Sequence, residues 1–439
     1  MPLLGGCGEE TLPPAPPGEL VLTVGHETDA WSREPAPVTV EIDRLMEDGN
    51  RVHVETIAAP AERISLGRGA VARYELNAKD SDGNRRLYGR SLPIEPDGVA
   101  GTTLPLFVSR AGEFARPPDG FFVAPGSDAP AAIAAERFLI VSGVVDGVLR
   151  TMGYDLGGWA PLSAGVRLSC PSEPCRFRSF AIVGQTVALG IGDDWAFWFD
   201  LATLESGDAP LPPGLASYAD VSGGRVVTAP DGSTYVVGAT RDQPPTYSVL
   251  QIAADGTLQA IDLGIPRAGA AAAWVEGRGL VVAGGSATGA GAEFLPEGAK
   301  AFVQLPYPPD ATTGAALVPL DDDWLLRAGG RIGTEAAPTV RFPRTCAVDC
   351  AVTPEGAPLA LDRGAGFLLP EQRALFVGSA PDGETRVVLR DAQGAITPIA
   401  LREPRRGATA LLLPTTHVAV AGGNLLDGTP ATSIELFAP

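Results

Sequence analysis

Few residues of this sequence have a type and spacing that would support catalysis. The three histidines, His26, His53 and His417, lie far apart in the chain. Adjacent carboxylates, a pairing that can cleave glycosidic bonds, occur at Asp193-Asp194 and in the run 321–323, but short acidic runs are more often solvated turns. The sequence contains no phosphate-binding loop, Gly-x-Ser-x-Gly elbow or His-Glu-x-x-His motif. We therefore expect no catalytic residue, no bound metal and no cofactor.

Four of the five cysteines form two close pairs, Cys170 with Cys175 and Cys346 with Cys350. Two local disulfides in an oxidising compartment are the simplest interpretation. One alternative is a zinc site that joins both pairs, although this requires knuckles from two distant segments to meet. The other alternative is free thiols in a cytosolic protein.

The charge of the chain limits its partners. The formal net charge is −19, from 52 acidic and 33 basic residues. Because nucleic acid is bound by a concentrated basic surface, we expect no nucleic-acid partner, and cationic or neutral partners fit better. The sequence has no run of about 18 apolar residues, the length that a membrane-spanning helix needs.

A repeat organises the sequence from residue 138 onward. Seven short apolar runs end in glycine, at Gly143, Gly190, Gly238, Gly284, Gly329, Gly378 and Gly422. These glycines are separated by 47, 48, 46, 45, 49 and 44 residues, a period that matches one four-stranded blade of a β-propeller. Glycine at the end of an inner strand lets the backbone turn with positive φ where neighbouring blades crowd together.

Two of the repeats share a longer pattern. It runs from Pro266-Arg267 through Gly284-Gly285 to Glu293-Phe294, and again from Pro404-Arg405 through Gly422-Gly423 to Glu435-Leu436-Phe437. This pattern resembles the Kelch repeat. The resemblance implies a seven-bladed Kelch-like β-propeller over residues 111–439, in which the loops after the glycine strands help to build a binding face.

The resemblance also assigns candidate site residues by their position in the repeat. The binding-face loops would contribute Asp146, Asp194, Arg241, Asp242, Arg331, Asp382 and Asn424. Three arginines, Arg267, Arg363 and Arg406, come just before innermost strands. They would line the mouth of the central channel or, alternatively, pair with nearby acids.

Closure of the ring is predicted from the last repeat. The seventh copy reaches Pro439 without the fourth strand that the other copies have. Residues 114–118, just before the first blade, have the required character. We therefore expect a strand near residues 112–118 to complete the last blade and hide both open edges of the sheets.

The first residues resemble a bacterial lipoprotein signal. Leu4-Gly5-Gly6-Cys7 is similar to a lipobox, and a Pro-rich tether follows it up to residue 18. The resemblance implies lipid attachment at Cys7 and, because Gly8 rather than Asp follows, a place at the bacterial outer membrane or cell surface. The alternative is an unmodified cysteine in an unstructured tail.

Residues 19–110 have a different rhythm, with seven short predicted strands near 19–25, 37–45, 50–57, 61–66, 70–78, 85–94 and 102–109. Several alternate apolar and polar residues, which predicts a β-sandwich of immunoglobulin-like type. Asp80, Asp82 and Asn84 lie in a segment that is either a hairpin turn or part of a calcium loop.

These observations favour an all-β, non-enzymatic binding or scaffold lipoprotein. It would present a propeller face to a protein or glycan partner at the cell envelope, contact the membrane only through a lipid on Cys7, and act as a monomer. A hydrolase or lyase that acts on polysaccharide with carboxylates at the channel mouth is the alternative. A cytosolic Kelch-like adaptor with free thiols is a third hypothesis.

Overall fold

The computed structural model describes residues 15–124, 131–145, 148–162, 166–168, 176–183, 186–200, 203, 205–240, 242–320, 323–346, 348 and 350–439. Strands make up 51% of the chain, and the helical elements of these residues are two 3₁₀ turns, Tyr218–Asp220 and Pro370–Gln372. The predicted all-β class is therefore confirmed. No helix in this described part is long and apolar enough to cross a lipid bilayer.

The chain divides into two compact units. Unit 1 contains the described residues up to Val24 together with Thr28–Val108, and unit 2 contains Gly25–Glu27 and Ser109–Pro439. Each unit is described by itself below.

Seven strands build unit 1. They are β1 (Glu19–Thr23), β2 (Thr39–Met46), β3 (Arg51–Ala58), β4 (Arg63–Ser65), β5 (Ala72–Lys79), β6 (Arg85–Arg90) and β7 (Thr103–Phe107). One sheet has the order β4-β1-β7, in which β1 pairs antiparallel with β4 and parallel with β7. The other contains β3-β2-β5-β6 in antiparallel order.

Both sheets of unit 1 bury side chains in one hydrophobic core. Val40 and Ile42 alternate along β2 and are fully buried, because successive side chains of a strand point to opposite faces. They share the core with Leu20 of β1 and Leu76 of β5. β3 lies at the end of its sheet, and most of its side chains are exposed.

Unit 2 begins with two short strands, β8 (Ser109–Arg110) and β9 (Phe114–Ala115). Its described residues then form seven sheets of at least four strands, which we number sheet 1 to sheet 7 along the chain. Sheet 1 consists of β10 (Ala131–Ala135), β11 (Phe138–Val145), β12 (Val148–Asp155), β13 (Ala160–Pro161) and β14 (Val166–Leu168). Sheet 2 consists of β15 (Ser179–Val183), β16 (Val187–Ile191), β17 (Ala196–Asp200) and β18 (Ser206–Asp208).

The middle sheets follow the same scheme. Sheet 3 consists of β19 (Arg225–Thr228), β20 (Thr234–Val237), β21 (Thr246–Ile252) and β22 (Leu258–Arg267). Sheet 4 consists of β23 (Ala271–Val275), β24 (Gly279–Ala283), β25 (Ala292–Pro296) and β26 (Val303–Leu305). Sheet 5 consists of β27 (Thr313–Pro319), β28 (Trp324–Ile332), β29 (Glu335–Ala336), β30 (Val340–Pro343) and β31 (Thr353–Pro354).

The last two sheets differ in how they are completed. Sheet 6 consists of β32 (Asp362–Leu369), β33 (Arg373–Ser379), β34 (Thr385–Arg390) and β35 (Ile396–Ile399). The remaining strands are β36 (Arg405–Arg406), β37 (Thr409–Leu412), β38 (Val418–Ala421), β39 (Asn424–Leu425) and β40 (Ile434–Phe437). Sheet 7 has the order β37-β38-β40-β9, while β36 and β39 form a separate pair.

The fourth strand of sheet 7 thus comes from the beginning of unit 2. Phe114 pairs with Phe437 and Ala115 with Leu436, in antiparallel register. The first strands of consecutive sheets contact each other, from β10 through β15, β19, β23, β27 and β32 to β37, and β37 contacts β10. The sheets therefore follow one another in a closed cycle.

Hydrophobic cores lie between neighbouring sheets of unit 2. For example, Val282 of sheet 4 packs with Val249 of sheet 3, whereas Val281 packs with Leu325 of sheet 5. Adjacent residues of one strand thus serve two different cores, since a sheet with neighbours on both sides buries both faces. This explains the continuous apolar runs that precede the repeated glycines.

The repeated glycines serve two physical purposes. Gly284 and Gly285 have φ values of +76° and +74°, in the region that only glycine adopts readily. Gly190 and Gly378 do not share this conformation, so the prediction of positive φ is wrong for these two copies. At Gly190 glycine is required because a side chain has no space: a Cβ would lie 2.3 Å from the ring of Phe177.

Charged side chains secure β9 against the last sheet. The Nε of Arg402 donates to the carbonyl oxygen of Phe114 at 2.7 Å, and its Nη2 contacts Glu113 at 2.8 Å. Arg116 bridges Glu27 and Glu403, at 3.1 and 2.9 Å. The short strand is therefore held by ion pairs as well as by its ladder bonds.

Replacing Phe114 tests how much this closure stabilises unit 2. The Phe114 ring is 1% exposed and packs on Phe437 with a centroid distance of 5.5 Å. We expect Phe114→Ala to reduce the free energy of unfolding by about 3–5 kcal/mol, because the lost ring leaves a cavity. Urea unfolding followed by tryptophan fluorescence would measure it, since five of the six tryptophans lie in unit 2.

Phe122→Ala is the matched control, because Phe122 is 65% exposed. Its effect should stay within about 0.5 kcal/mol. Equal unfolding midpoints for the two variants would contradict a stabilising role of Phe114.

Candidate functional site

The candidate site lies at the end of unit 2 where the first strand of each sheet begins. In each antiparallel pair the start of the first strand lies beside the end of the second, as in the pairings Arg225 with Val237 and Thr409 with Ala421. The loops after the second strands therefore lie at this same end, which we call the loop face. Asp146 and Arg241, two of the predicted binding-face residues, lie outside the described residues.

Two predicted residues from distant sheets meet at the loop face. The Nη2 of Arg363, at the start of sheet 6, lies 3.0 Å from Oδ2 of Asp242, in a loop of sheet 3. Both side chains are about half exposed, with fractional exposures of 54% and 53%. An exposed pair of this kind stabilises the fold by at most about 1 kcal/mol, so it can be displaced easily.

Arg225, which the sequence analysis missed, contacts the residue that follows Arg363. It is the first residue of β19 and is half-buried. Its Nη2 donates to the carbonyl oxygens of Ala315 at 3.2 Å and Gly364 at 2.5 Å, which belong to sheets 5 and 6. Burial lowers the pKa of Arg225, because a cation loses solvation in this position. The side chain thus extends across the centre of the sheet cycle.

A second group of predicted residues gathers between sheets 6 and 7. Oδ2 of Asp382 lies 2.6 Å from Nη2 of Arg386, and the charge of Arg406 also acts on Asp382. Arg406 in turn pairs through its backbone with Asn424. Hydrogen bonding from the backbone N–H of Glu384, followed by the charges of Arg386 and Arg406, holds the pKa of Asp382 below its ordinary value.

Arg331 and Asp194 occupy other positions on the loop face. The Nε of Arg331 lies 3.7 Å from Oδ2 of Asp362, whose side chain is buried. Arg331 also lines a small pocket of about 130 Å³, with Gly330, Thr334, Ala336, Ala360, Leu361 and Pro381. Asp194 is exposed, whereas its neighbour Asp193 accepts a hydrogen bond from Arg178 at 2.5 Å.

The assignment of Arg267 to the channel mouth is wrong. Its side chain and that of Glu293 are both 0% exposed, and they form an ion pair of 3.0 Å. Arg267 also donates to the carbonyl oxygens of Gly284 and Ala290. Arg267 instead pairs with an acid, which was the alternative prediction, because a buried guanidinium requires a counter-charge and hydrogen-bond acceptors.

The same arrangement occurs in sheet 7. Arg405 and Glu435 are fully buried and lie 2.7 Å apart. Glu435 also accepts backbone N–H bonds from Arg402 and Glu403, as Glu293 does from Gly264 and Ile265. Burial raises the pKa of Glu435, and Arg405 opposes this shift. These pairs explain the Pro-Arg and Glu positions that the two best repeats share.

Two of the histidines and the candidate calcium loop have protein partners. The Nδ1 of His53 contacts Asp43 at 2.9 Å, and His417 is buried beside Thr415. Asp80 accepts backbone N–H bonds from Asp82 and Asn84 and contacts Arg86, which is the arrangement of a hairpin turn. The described residues hold no cluster of three or more potential metal ligands.

The cysteines are described only in part. The sulfurs of Cys346 and Cys350 lie at bonding distance, with Cα atoms 5.6 Å apart. Cys7, Cys170 and Cys175 lie outside the described residues.

Comparison with known proteins identifies no family. No family model matches the chain, and no curated protein is detectably similar in sequence. Among solved structures, BBS1N in complex with ARL6DN matches with 12% identity, a TM-score of 0.46, and coverage of 75% of this chain and 98% of that chain. A chain of a mitotic checkpoint complex matches with 10% identity, a TM-score of 0.44, and coverage of 75% and 95%.

A third solved structure is regucalcin, a calcium-binding protein from Agrobacterium tumefaciens. It matches with 12% identity, a TM-score of 0.37, and coverage of 72% of this chain and 90% of that chain. BBS1 and regucalcin are β-propeller proteins. Because all three TM-scores are below 0.5, these likenesses carry no argument about the family or the function of this chain.

The buried pair of sheet 4 can be tested by removing its negative charge. We expect Glu293→Gln to reduce the free energy of unfolding by about 3–5 kcal/mol, because Arg267 would remain buried without a counter-charge. Asp242→Asn, which removes an acid from an exposed pair, should cost less than about 1 kcal/mol. Urea unfolding of both variants measures this difference, and equal midpoints would show that the buried pair has no such role.

Proposed function

We propose that unit 2 is a seven-bladed Kelch-like β-propeller and that this chain is a non-enzymatic binding or scaffold protein. The observation that carries the proposal is the closed cycle of first strands, which brings loops from different repeats together at one face. Asp242 and Arg363 meet there although they are 121 residues apart in sequence. Loops that a rigid scaffold holds together are the usual location of binding residues.

In this proposal unit 1 is an immunoglobulin-like sandwich that acts as a spacer or docking module. Two sheets that share one core support this assignment. A lipid on Cys7 would attach the chain to the bacterial outer membrane or cell surface, and the cysteine pairs would be oxidised there. The partner would be a protein or a glycan of the cell envelope.

Binding is preferred over polysaccharide cleavage because of the state of the acids at the loop face. A glycosidase needs one carboxylic acid whose pKa is raised, so that it can donate a proton. The pKa of Asp382 is instead lowered, and Asp242 is paired with Arg363. Acids stabilised in the ionised form are suited to hydrogen bonding with a partner rather than to proton donation.

Substitutions on the loop face test the binding function. The triple variant Asp194→Ala/Asp382→Ala/Arg406→Ala removes three exposed side chains, two from the loops of sheets 2 and 6 and one from β36. We expect the immobilised variant to retain at least tenfold less of its partner, taken from purified envelope polysaccharides or solubilised envelope proteins of the host cell. Quantitative mass spectrometry and sugar analysis of the retained material give the readout.

The control alters turns at the opposite ends of the first strands. Asp231→Ala/Glu276→Ala/Arg278→Ala removes the same charges, two acids and one base, and should bind as the unaltered protein does. Equal losses in the two triple variants would contradict a specific face. Release of new reducing ends from the polysaccharides would show an enzyme instead.

Export and anchoring have a separate test. With the chain expressed from its own locus, we expect an alkyne-labelled fatty acid to be incorporated, and Cys7→Ser to abolish the labelling. Non-reducing peptide mapping should find Cys346 joined to Cys350. A soluble, unlabelled chain with free thiols would support the cytosolic adaptor, because the cytosol keeps thiols reduced.

A further inference from the structure

The small pocket at the loop face lies between sheets 5 and 6. One wall is the hairpin of β28 and β29, with Gly330, Arg331 and Ala336, and the other contains Leu361, just before β32, and Pro381, just after β33. Its volume is about 130 Å³, and an apolar cavity of roughly 150 Å³ is large enough to hold benzene. The pocket therefore has the size of one side chain rather than that of an oligosaccharide.

Backbone hydrogen bonds hold the two walls together. The N–H of Gly330 donates to the carbonyl oxygen of Leu361 at 2.6 Å, and the N–H of Ala337 donates to that of Gly330 at 3.0 Å. Gly330 has a φ of +79°, and a Cβ there would lie 2.7 Å from the carbonyl oxygen of Thr313. The pocket is thus formed before any partner arrives, which reduces the entropy that binding costs.

The lining of the pocket is mostly apolar. Four of its side chains are hydrocarbon, those of Ala336, Ala360, Leu361 and Pro381. Its polar side chains are those of Arg331 and Thr334. Sugar hydroxyls that faced the hydrocarbon walls would lose their water without gaining a hydrogen bond, which costs free energy. The lining therefore favours an apolar side chain over a sugar ring.

Arg331 favours an aromatic side chain among the apolar ones. Its Nε lies 3.7 Å from Oδ2 of Asp362, which is longer than a hydrogen bond, and 31% of its side chain is exposed. A planar guanidinium can stack on an aromatic ring, a contact that an aliphatic side chain does not offer. A carboxylate in the same place would be repelled by Asp362.

We propose that this pocket binds one aromatic side chain of a partner protein. This inference rests on the binding function proposed above and narrows its partner from a protein or glycan to a protein with an exposed phenylalanine, tyrosine or tryptophan. Aromatic side chains that fill well-packed pockets supply much of the binding energy of protein interfaces.

The charge of the chain argues against a second copy as this partner. Phe122 and Tyr247 are exposed aromatic residues of the chain itself, with fractional exposures of 65% and 50%. Insertion of either into the pocket of another copy would join molecules head to tail. At a net charge of −19 two copies repel each other, so we assign the pocket to a different protein.

Short peptides test the pocket without knowledge of the natural partner. Five-residue peptides, capped at both ends and composed of alanine except at the centre, are titrated into the full-length protein, and saturation-transfer NMR gives their dissociation constants. We expect a central phenylalanine to bind about tenfold more tightly than alanine or better, because the ring leaves water. It should bind about two- to fivefold more tightly than cyclohexylalanine, which has a similar size but no π-system.

Substitutions connect this preference to the pocket. Ala336→Leu and Ala360→Leu fill the pocket from exposed positions, and each should weaken binding of the phenylalanine peptide by about fivefold or more, because the added side chain occupies the space of the ring. Arg331→Met should bring the ratio between phenylalanine and cyclohexylalanine close to one.

Ala392→Leu is the matched control and should bind as the unaltered protein does. Ala392 is an exposed alanine in the turn between β34 and β35, at the end of sheet 6 opposite to the loop face. Urea unfolding verifies that each variant is folded, and the two variants that fill the pocket decide the matter if Arg331→Met is not.

Four results would overturn the inference. They are equal binding of the phenylalanine and alanine peptides, unchanged binding by the folded variants that fill the pocket, a peptide with central glutamate that binds as tightly as phenylalanine, and displacement of the phenylalanine peptide by methyl glucoside at equal concentration. A molecular mass that rises with protein concentration, and does so no longer in Ala336→Leu, would instead assign the pocket to a second copy.

The envelope partner separates this inference from the proposed function. Ala336→Leu should retain less of the envelope protein than Ala392→Leu does. If the two retain equal amounts while the loop-face triple variant still loses its partner, the pocket inference fails and the binding function stands. If that triple variant and its control bind alike as well, both proposals fail.

Discussion

Each sheet of unit 2 is stabilised by packing against the neighbouring sheets. The pairing of β9 with β40 completes the last sheet, so that sheet 7 is stabilised in the same way. Consecutive sheets share apolar cores, in which alternate residues of one strand point to opposite neighbours. An open end would expose an apolar sheet face and a row of unpaired backbone groups. Phe114 prevents both effects, since its backbone pairs with that of Phe437 and its ring joins the apolar core between sheets 6 and 7. Two residues of strand thus complete a cycle that uses more than three hundred residues of the chain.

The fully buried pairs of Arg267 with Glu293 and Arg405 with Glu435 solve a different problem. The segments before β23 and β37 contain backbone N–H and carbonyl groups that the strand ladders do not use. Each glutamate accepts two of these N–H groups, and each arginine donates to carbonyl oxygens. The pairs therefore organise irregular backbone that would be costly to bury without partners. Arg225, the first residue of β19, donates instead to carbonyl oxygens of sheets 5 and 6.

The sequence predicts the periodic part of this structure well and the central part poorly. Apolar runs and glycines recur because each strand faces the same environment in its own sheet, so the all-β class follows from local pattern. Arg267 is buried because it pairs with Glu293, 26 residues away. Its position before a strand does not by itself distinguish a buried arginine from an exposed one. The shared Pro-Arg and Glu positions of two repeats were the available signal. Arg225 gave no such signal in the sequence, because its hydrogen-bond acceptors are backbone atoms 90 and 139 residues away, in sheets 5 and 6.

The place of β9 in the chain also affects the order of biosynthesis. Phe114 emerges early from the ribosome, whereas Arg402, which binds its carbonyl oxygen, follows 288 residues later. At roughly 5–20 residues per second, this strand waits on the order of tens of seconds for its partner. During that interval its apolar side chain and the edge of the incomplete sheet cycle are open to association with other chains. The stability of the finished fold gives no protection during this interval, because the interactions that hold β9 do not yet exist.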